Sequence, residues 1–353
     1  MNITKTTPIV TSKQTGLTLV ELMVAMVISL LLIAGTITIF ASNKQAYRLN
    51  EASSRVQENG RFALDFMRTD IRMAGFLGCV GPSSIAKFNN NIDVAKYNTI
   101  VGKSDIQSAI ASYDGTGSLI GFDAVGAELT ALGLTTGTSE TDHLAGTDVI
   151  MIKMAGGCPG GKVVSPKDNA NFKIEDNSSC NIQKNDIVLV SNCSGGDFFG
   201  VTNNVATSGP SALTATLATG SNINIDNQVS GNYGTDAEIF KFQTVVYYIG
   251  TGASGAPSLF KRSIVSGDFE SQEMVDNVED MTIQYGVDTN GNGSANYYVL
   301  AGAVTAANWA NVVSVRISID VRSESQNVVQ SNVNADKRLR HSFTETIKIR
   351  NRI

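Results

Sequence analysis

Along the first fifty residues the polar and apolar positions separate sharply. Leu22 to Asn43 (LMVAMVISLLLIAGTITIFASN) is a run of twenty-two residues without a charge. At 1.5 Å of rise per residue, a helix of that length crosses a hydrocarbon layer of ~30 Å. Residues 1–16 contain Lys5 and Lys13 and no acid. Positive charge ahead of the span predicts a cytoplasmic N-terminus and a C-terminal bulk on the outer side. A cleaved secretory signal would have a shorter apolar core, so Ala41-Ser42 is a poor cleavage site. A plain anchor leaves one residue without a reason, the carboxylate Glu21 at the start of the run.

Beyond Lys44 the apolar positions thin into a stripe. Leu49, Ala52, Val56, Ala63, Phe66, Met67 and Ile71 recur at spacings of three, four and seven, which predicts one face of a continuing helix. Glu51, Glu58 and Asp65 repeat every seven residues, with Arg55, Arg61 and Arg68 three or four positions from an acid, a pattern that reads first as a solvated face. Gly75, Gly78 and Gly81-Pro82 supply the stop. A helix from Leu17 to Ala74 is roughly 85 Å long.

After Cys79 the period changes to two. Asp148–Met154, Asp186–Val190, Thr244–Ile249, Met281–Tyr285, Asn311–Val321 and Ser342–Ile349 read as strands, several alternating as half-buried antiparallel strands do. Residues 83–145 and 200–236 are rich in Gly, Ser, Thr, Asn and Ala and read as loops. The predicted class is α+β: a long N-terminal helix whose outer half packs on an antiparallel β-rich domain.

Composition narrows the function. Across 353 residues only 17% are charged and 42% hydrophobic, with 33 Gly, which suits short strands and turns and excludes wholesale disorder. A net charge of −5 argues against nucleic acid as a partner, and two histidines exclude a His-rich metal centre.

Glu21 then becomes informative, because an acid inside an apolar helix is costly unless it is paired and marks function. Gly16 precedes Leu17-Thr18-Leu19-Val20-Glu21 and the continuous apolar run. This arrangement resembles the prepilin leader of type IV pilins and of type II secretion pseudopilins. The resemblance implies that a membrane peptidase cuts after Gly16, that Leu17 is N-methylated, and that Glu21, fifth in the mature chain, directs assembly. Leu17 stands where the family usually has Phe. Cleavage removes Lys5 and Lys13, taking the side-chain net charge from −5 to −7. Further segments resemble the PilW group of minor pilins: Gly75–Cys79, Val188–Phe199, Val278–Asp288, Trp309–Arg322 and Ile349–Arg352.

Cys79, Cys158, Cys180 and Cys193 all follow the span, and four cysteines in an oxidising compartment predict two disulfides. Three connectivities are open, of which Cys79–Cys158 with Cys180–Cys193 is favoured. Gly156–Lys162 has the G-x4-G-K spacing of a phosphate loop, but Val163 replaces the Ser or Thr and an extended segment replaces the helix, so it reads as a turn. Asp288, Asn290, Asn292 and Ser294 match the first half of a calcium loop. Val299 at the twelfth place lacks the bidentate acid, and a hairpin turn is the preferred reading over calcium, the one cofactor considered. Ser139, Asp142 and His143 are sequence neighbours without a nucleophile elbow, and His143 reads as a loop residue. His341 and the basic run Lys337–Arg340 read as surface charge able to meet an acidic partner or lipid headgroups.

The expectation is therefore a leader over 1–16, a pilin helix over 17–76 that crosses the membrane at about 20–43, and an outer β-rich domain over 77–353. The resemblance implies a non-enzymatic minor pilin that primes the pilus and sits at or near its tip. It would start in the inner membrane with its C-terminal domain in the periplasm. Its implied partners are other minor pilins, the major pilin, the prepilin peptidase, the inner-membrane assembly platform and a tip adhesin. The competing expectations are a type II secretion minor pseudopilin, which the length disfavours, a pilin-anchored adhesin, and a membrane-tethered hydrolase indifferent to Glu21.

Overall fold

In the computed structural model the helix α1 runs without a break from Leu19 to Met73, about 82 Å at 1.5 Å per residue. The structure describes residues 16–79, 88–93, 119–122, 134–156, 158–168, 171–214, 223–265, 268–329 and 335–352. Residues 1–15, with Lys5 and Lys13, and Gly81-Pro82 lie outside them. Gly75 and Gly78 take positive φ (73° and 78°), a backbone that side chains resist, and turn the chain off the helix. Asn351 closes the same end by donating to the carbonyls of Met73 (3.4 Å) and Ala74 (3.3 Å), leaving fewer of the final carbonyls unsatisfied.

The strands in chain order are β1 (Phe88–Asn90), β2 (Leu119–Phe122), β3 (Val149–Gly156), β4 (Val163–Asp168), β5 (Asn171–Ile174), β6 (Ile187–Asn192), β7 (Gly195–Gly200) and β8 (Ser211–Thr214). They continue with β9 (Glu238–Thr251), β10 (Pro257–Val265), β11 (Asp268–Asp276), β12 (Val278–Val287), β13 (Tyr297–Val299), β14 (Val312–Arg322) and β15 (Arg340–Lys348). A large sheet has the order β1-β7-β6-β9-β10-β11, with β2 and β3 joined to it through β9. The long strand β9 is its junction. Residues 241–247 of β9 pair with β3, while 238–241 pair with β6 and 245–251 with β10, so β6 and β10 follow one another along the edge opposite β3. A second, antiparallel sheet runs β13-β12-β14-β15, and a small one β4-β5-β8.

Side-chain alternation assigns the cores. In β9, Val245, Tyr247 and Ile249 face a core that also takes Val56, Ala63, Met67 and Ile71 of the helix and Met281, Ile283, Val315, Ile317 and Ile319 of the second sheet. Val246 and Tyr248, one step out of phase, face another core with Leu189, Phe198 and Phe260. A third lies against the small sheet, around Phe172, Val188, Val190 and Phe199.

The predicted strands are all present; β9 begins six residues earlier than expected, at Glu238, and the other ends agree to within three residues. Three elements fall inside the stretches read as loops, β1, β2 and β8, because short strands in Gly- and Asn-rich sequence show too few residues to display a period. The helix stripe also shifts. Leu49 and Phe66 are 38% and 40% exposed, while Gly60, Leu64 and Asp70 are buried in their place. Gly60 lies directly under the Phe343 ring, where any β-carbon would collide, so proximity of the sheet selects the smallest residue.

Candidate assembly interface

Among the described residues, none covers the N-terminal part of α1. From Leu17 to Lys44 every residue is exposed, including Leu30, Leu31, Leu32 and Phe40 at 65% or more. The first half-covered residue is Gln45 and the first buried one Ala52. An apolar rod of this length is stable only inside lipid or among other apolar helices.

Its first turn is closed by its own side chains. Thr18 is the N-cap, its Oγ1 accepting the Glu21 N–H at 3.3 Å, and the Glu21 carboxylate accepts the Thr18 N–H and hydroxyl, both at 3.1 Å. This reciprocal capping box satisfies two of the free donors of the helix start and places the acid beside the positive end of the helix dipole. The sequence reading identified Glu21 and missed Thr18, although the Thr-x-x-Glu spacing carries the signal. Gly16 and Leu17, the expected cleavage and methylation positions, lie just ahead of the cap outside any regular element, with Leu17 78% exposed.

The other half of α1 is clamped to the sheets by polar contacts as well as by its apolar face. Asp70 is buried and accepts hydrogen bonds from the Tyr247 hydroxyl at 2.6 Å and the Lys261 ammonium at 2.7 Å. Burial, together with the neighbouring carboxylate of Asp70, pushes the Tyr247 hydroxyl far above its usual titration range. Arg68 grips Glu345 of β15 with two bonds, 2.6 and 2.8 Å. Asn59 donates to the carbonyl and the carboxylate of Asp276, at 3.1 and 2.8 Å. Sequence reasoning passed over Asp70, although it lies three residues after Met67 on the apolar stripe, where an acid needs a partner.

The basic run near the C-terminus is a correction. Arg340 is held by Glu279 (2.6 and 3.0 Å) and Asp336 (2.8 and 2.9 Å), and Arg322 adds a bond to Glu279 at 2.9 Å. Arg338 donates to the Ser323 carbonyl at 2.6 Å and to that of Glu324. Burial raises the Glu279 carboxyl, but hydrogen bonds from Arg340 and Arg322 outweigh it and hold the group below the usual carboxylate range. Arg338 and Arg340 thus lock the turn to the sheet, and the half-buried Lys337 has no ion pair among the described residues. His341 is exposed, edge-on to Phe343 at 4.7 Å.

All four cysteines are bonded, in a pairing other than the favoured one: Cys79–Cys193 and Cys158–Cys180. The β6–β7 hairpin is carried over the exit of the helix, where the Ser191 hydroxyl reaches the Leu77 carbonyl, so Cys193 meets Cys79 across 114 residues. Cys180 instead faces the turn around Cys158 and Gly160, which takes φ 91°. That turn belongs to the segment with phosphate-loop spacing, and β4 follows it where a helix would be needed.

The segment from Asp288 to Ser294 joins β12 to β13 as a hairpin loop, with Val287 opposite Tyr297. Asp288 accepts the N–H groups of Asn290, Gly291 and Gly293 at 3.0, 2.8 and 2.6 Å; Asn290 accepts that of Asn292 and Asn292 that of Ser294. The side-chain oxygens accept backbone N–H groups within the loop and a single carboxylate is present among them, the geometry of a hairpin turn. Among the described residues no three acidic, histidine or cysteine side chains gather for a metal.

His143 lies in the segment before β3, as a loop residue, and is buried there. Its Nε2–H donates to the Thr147 carbonyl at 2.9 Å, and burial pushes its pKa down. Asp142 accepts the Ser139 N–H at 3.0 Å instead of orienting the imidazole, so the three do not assemble as a triad.

Residues 246–351, from the second half of β9 to the last turn, match the family described as type IV pilus-assembly protein W. Residues 11–37 match the prokaryotic N-terminal methylation motif. No curated protein and no solved structure matches the chain.

Proposed function

The chain is a PilW-like type IV pilin, and on that premise we propose that it is a minor pilin that primes the fibre and remains at or near its tip. A membrane peptidase cuts after Gly16, Leu17 becomes the N-methylated terminus, and the uncharged span holds the chain in the inner membrane with the sheets in the periplasm. The role is structural, not catalytic. Its partners are other minor pilins, the major pilin, the assembly platform and a tip adhesin.

The observation that carries this reading is the apolar half of α1, which leaves the fold with no side chain covered and Glu21 as its only charge from Leu19 to Asn43. Moving such a rod from lipid into a bundle of neighbouring helices changes its apolar surroundings little, so the acid decides the register. Within the single chain Thr18 satisfies the Glu21 carboxylate. In the fibre the cationic amine of a neighbour's terminus takes the carboxylate. A subunit stacked out of register leaves both charges buried without partners, at several kcal/mol. A domain of three sheets on one helix crowds a regular shaft more than it crowds an end, which favours the tip.

The test is the intact mass of the chain extracted from membranes, with and without prepilin peptidase. The expected result is loss of 1–16 plus one methyl group only when the peptidase is present, and Glu21→Ala protein that inserts normally but is missing from sheared fibres. An uncut chain in both strains, or wild-type fibre content for Glu21→Ala, overturns the proposal.

A further inference from the structure

The loop before β15 reaches back to α1 where the helix leaves its uncharged stretch. Gln45 donates to the Val328 carbonyl at 2.5 Å and Arg48 to that of Gln326 at 3.3 Å. Asn327, Val328 and Val329 are tied to Asp336 and Lys337 by backbone bonds of 2.9 to 3.1 Å, and Asn327 and Lys337 both hold a left-handed backbone (φ 55° and 50°). Between helix and loop lies an open groove of about 530 Å³, lined by Ala41, Ser42, Gln45, Asn327, Val329 and Lys337.

Depth follows from helix geometry. Gln45 lies two residues past Asn43, ~3 Å further along the axis. The headgroup layer adds ~5–7 Å on each side of the hydrocarbon. With Leu22–Asn43 in the hydrocarbon, the groove and Lys44 fall among the headgroups and Arg48 at their outer edge.

The nearby acids are occupied within the fold. Glu51 and Glu324 pair with Arg55 at 3.3 and 3.2 Å, and Asp336 with Arg340 at 2.8 Å. Among the described residues no carboxylate is within ion-pair distance of Lys44, Arg48 or Lys337. Lys44 and Arg48 are also like charges four apart on one helix, an arrangement that costs a little stability unless an anion lies beside it.

We propose that this groove seats the phosphate headgroups of anionic lipids, with Lys44, Arg48 and Lys337 as a collar that presses the loop of the β domain onto the bilayer before assembly. This rests on the reading of α1 as a membrane anchor. A basic side chain at an anionic surface raises partition about fivefold, so three raise it about a hundredfold at low salt. The attraction fades as the Debye length shrinks to ~3 Å at 1 M salt.

The experiment uses the full chain in vesicles of phosphatidylcholine alone or enriched in phosphatidylglycerol. Acylation of Lys44 and Lys337 by an amine-reactive probe is measured against exposed Lys184. Protection of both lysines, several-fold or more, is expected only in the anionic vesicles. It should vanish at high salt, and protection of Lys44 should fall in the variant Arg48→Gln with Lys337→Gln. Flotation with equal acylation in both vesicles overturns this proposal alone. Failure to float with either vesicle overturns the anchor reading and this proposal with it.

Discussion

Asp70→Ala isolates what fixes the long helix to the sheets. The apolar face supplies most of the adhesion, since Val56, Leu64, Met67 and Ile71 each contribute ~1.5–3 kcal/mol on burial. Such contacts are non-directional, whereas Asp70 binds two groups on adjacent strands, Tyr247 of β9 and Lys261 of β10. Removing the carboxylate leaves the Tyr247 hydroxyl with a longer bond to the Phe66 carbonyl (3.3 Å) and the Lys261 ammonium without its ion pair. Lys261 is 30% exposed and turns toward water, which keeps the cost below that of a fully buried pair, at about 2–3 kcal/mol. At ~2.1 cal/mol/K of unfolding entropy per residue over a domain of this size, that lowers Tm by about 3–5 °C. The readout is fluorescence of Trp309 in the full chain in detergent; it is the one tryptophan and packs at 4.9 Å from Tyr285 beside the helix core. Arg68→Ala is the internal comparison. Its bidentate pair with Glu345 is 42% and 24% exposed, so it costs ~1 kcal/mol or less. A drop below ~1 °C for Asp70→Ala, or strict additivity with Lys261→Met, refutes the clamp.

Two further outcomes concern the outer domain. Glu279 has its folded pKa depressed, so its contribution is complete above the ordinary value near 4.5 and disappears as pH falls through the lower folded value. Tm should therefore fall with acidification below that point, and less steeply in Glu279→Gln; parallel profiles for the two proteins would refute this. By loop entropy Cys79–Cys193 contributes about 4.8 kcal/mol and Cys158–Cys180 about 3.4 kcal/mol. Paired serine substitutions should lower Tm in that order, and non-reducing peptide maps should join the sequences around Cys79 and Cys193; a Cys79–Cys158 peptide would refute the pairing.

What the sequence displayed was whatever is local or periodic. The uncharged span with Glu21, the stripe through Val56, Ala63, Met67 and Ile71, and the alternation of β14 with Arg316, Ser318 and Asp320 outward follow from periods of 3.6 and 2. The disulfide partners do not, because Cys79 and Cys193 meet only when β9 has brought the β6–β7 hairpin over the helix exit. The basic run misled for a related reason: three cations within four residues look exposed until Glu279, some sixty residues away, arrives to hold Arg340. Leu49 and Phe66 were assigned to the core by spacing, yet the face is chosen by where Phe343 and Tyr247 stand.

Those same contacts explain why the two matched regions, 11–37 and 246–351, lie so far apart in the chain yet belong to one device. The described part of the first, from Gly16, enters an apolar helical rod, and no other described residue covers its side chains there. The second holds the other end of that rod: Lys261 on Asp70, Glu345 on Arg68, Phe343 on Gly60, Val328 on Gln45 and Asn351 on the last helical carbonyls. Strands β1, β6 and β7, with the small sheet beyond them, connect to this assembly chiefly through β9 and the Cys79–Cys193 bond. Substitutions there alter the outward surface of the domain without changing the aim of the rod. A break at Asp70 or Asn351 changes the aim while leaving that surface intact.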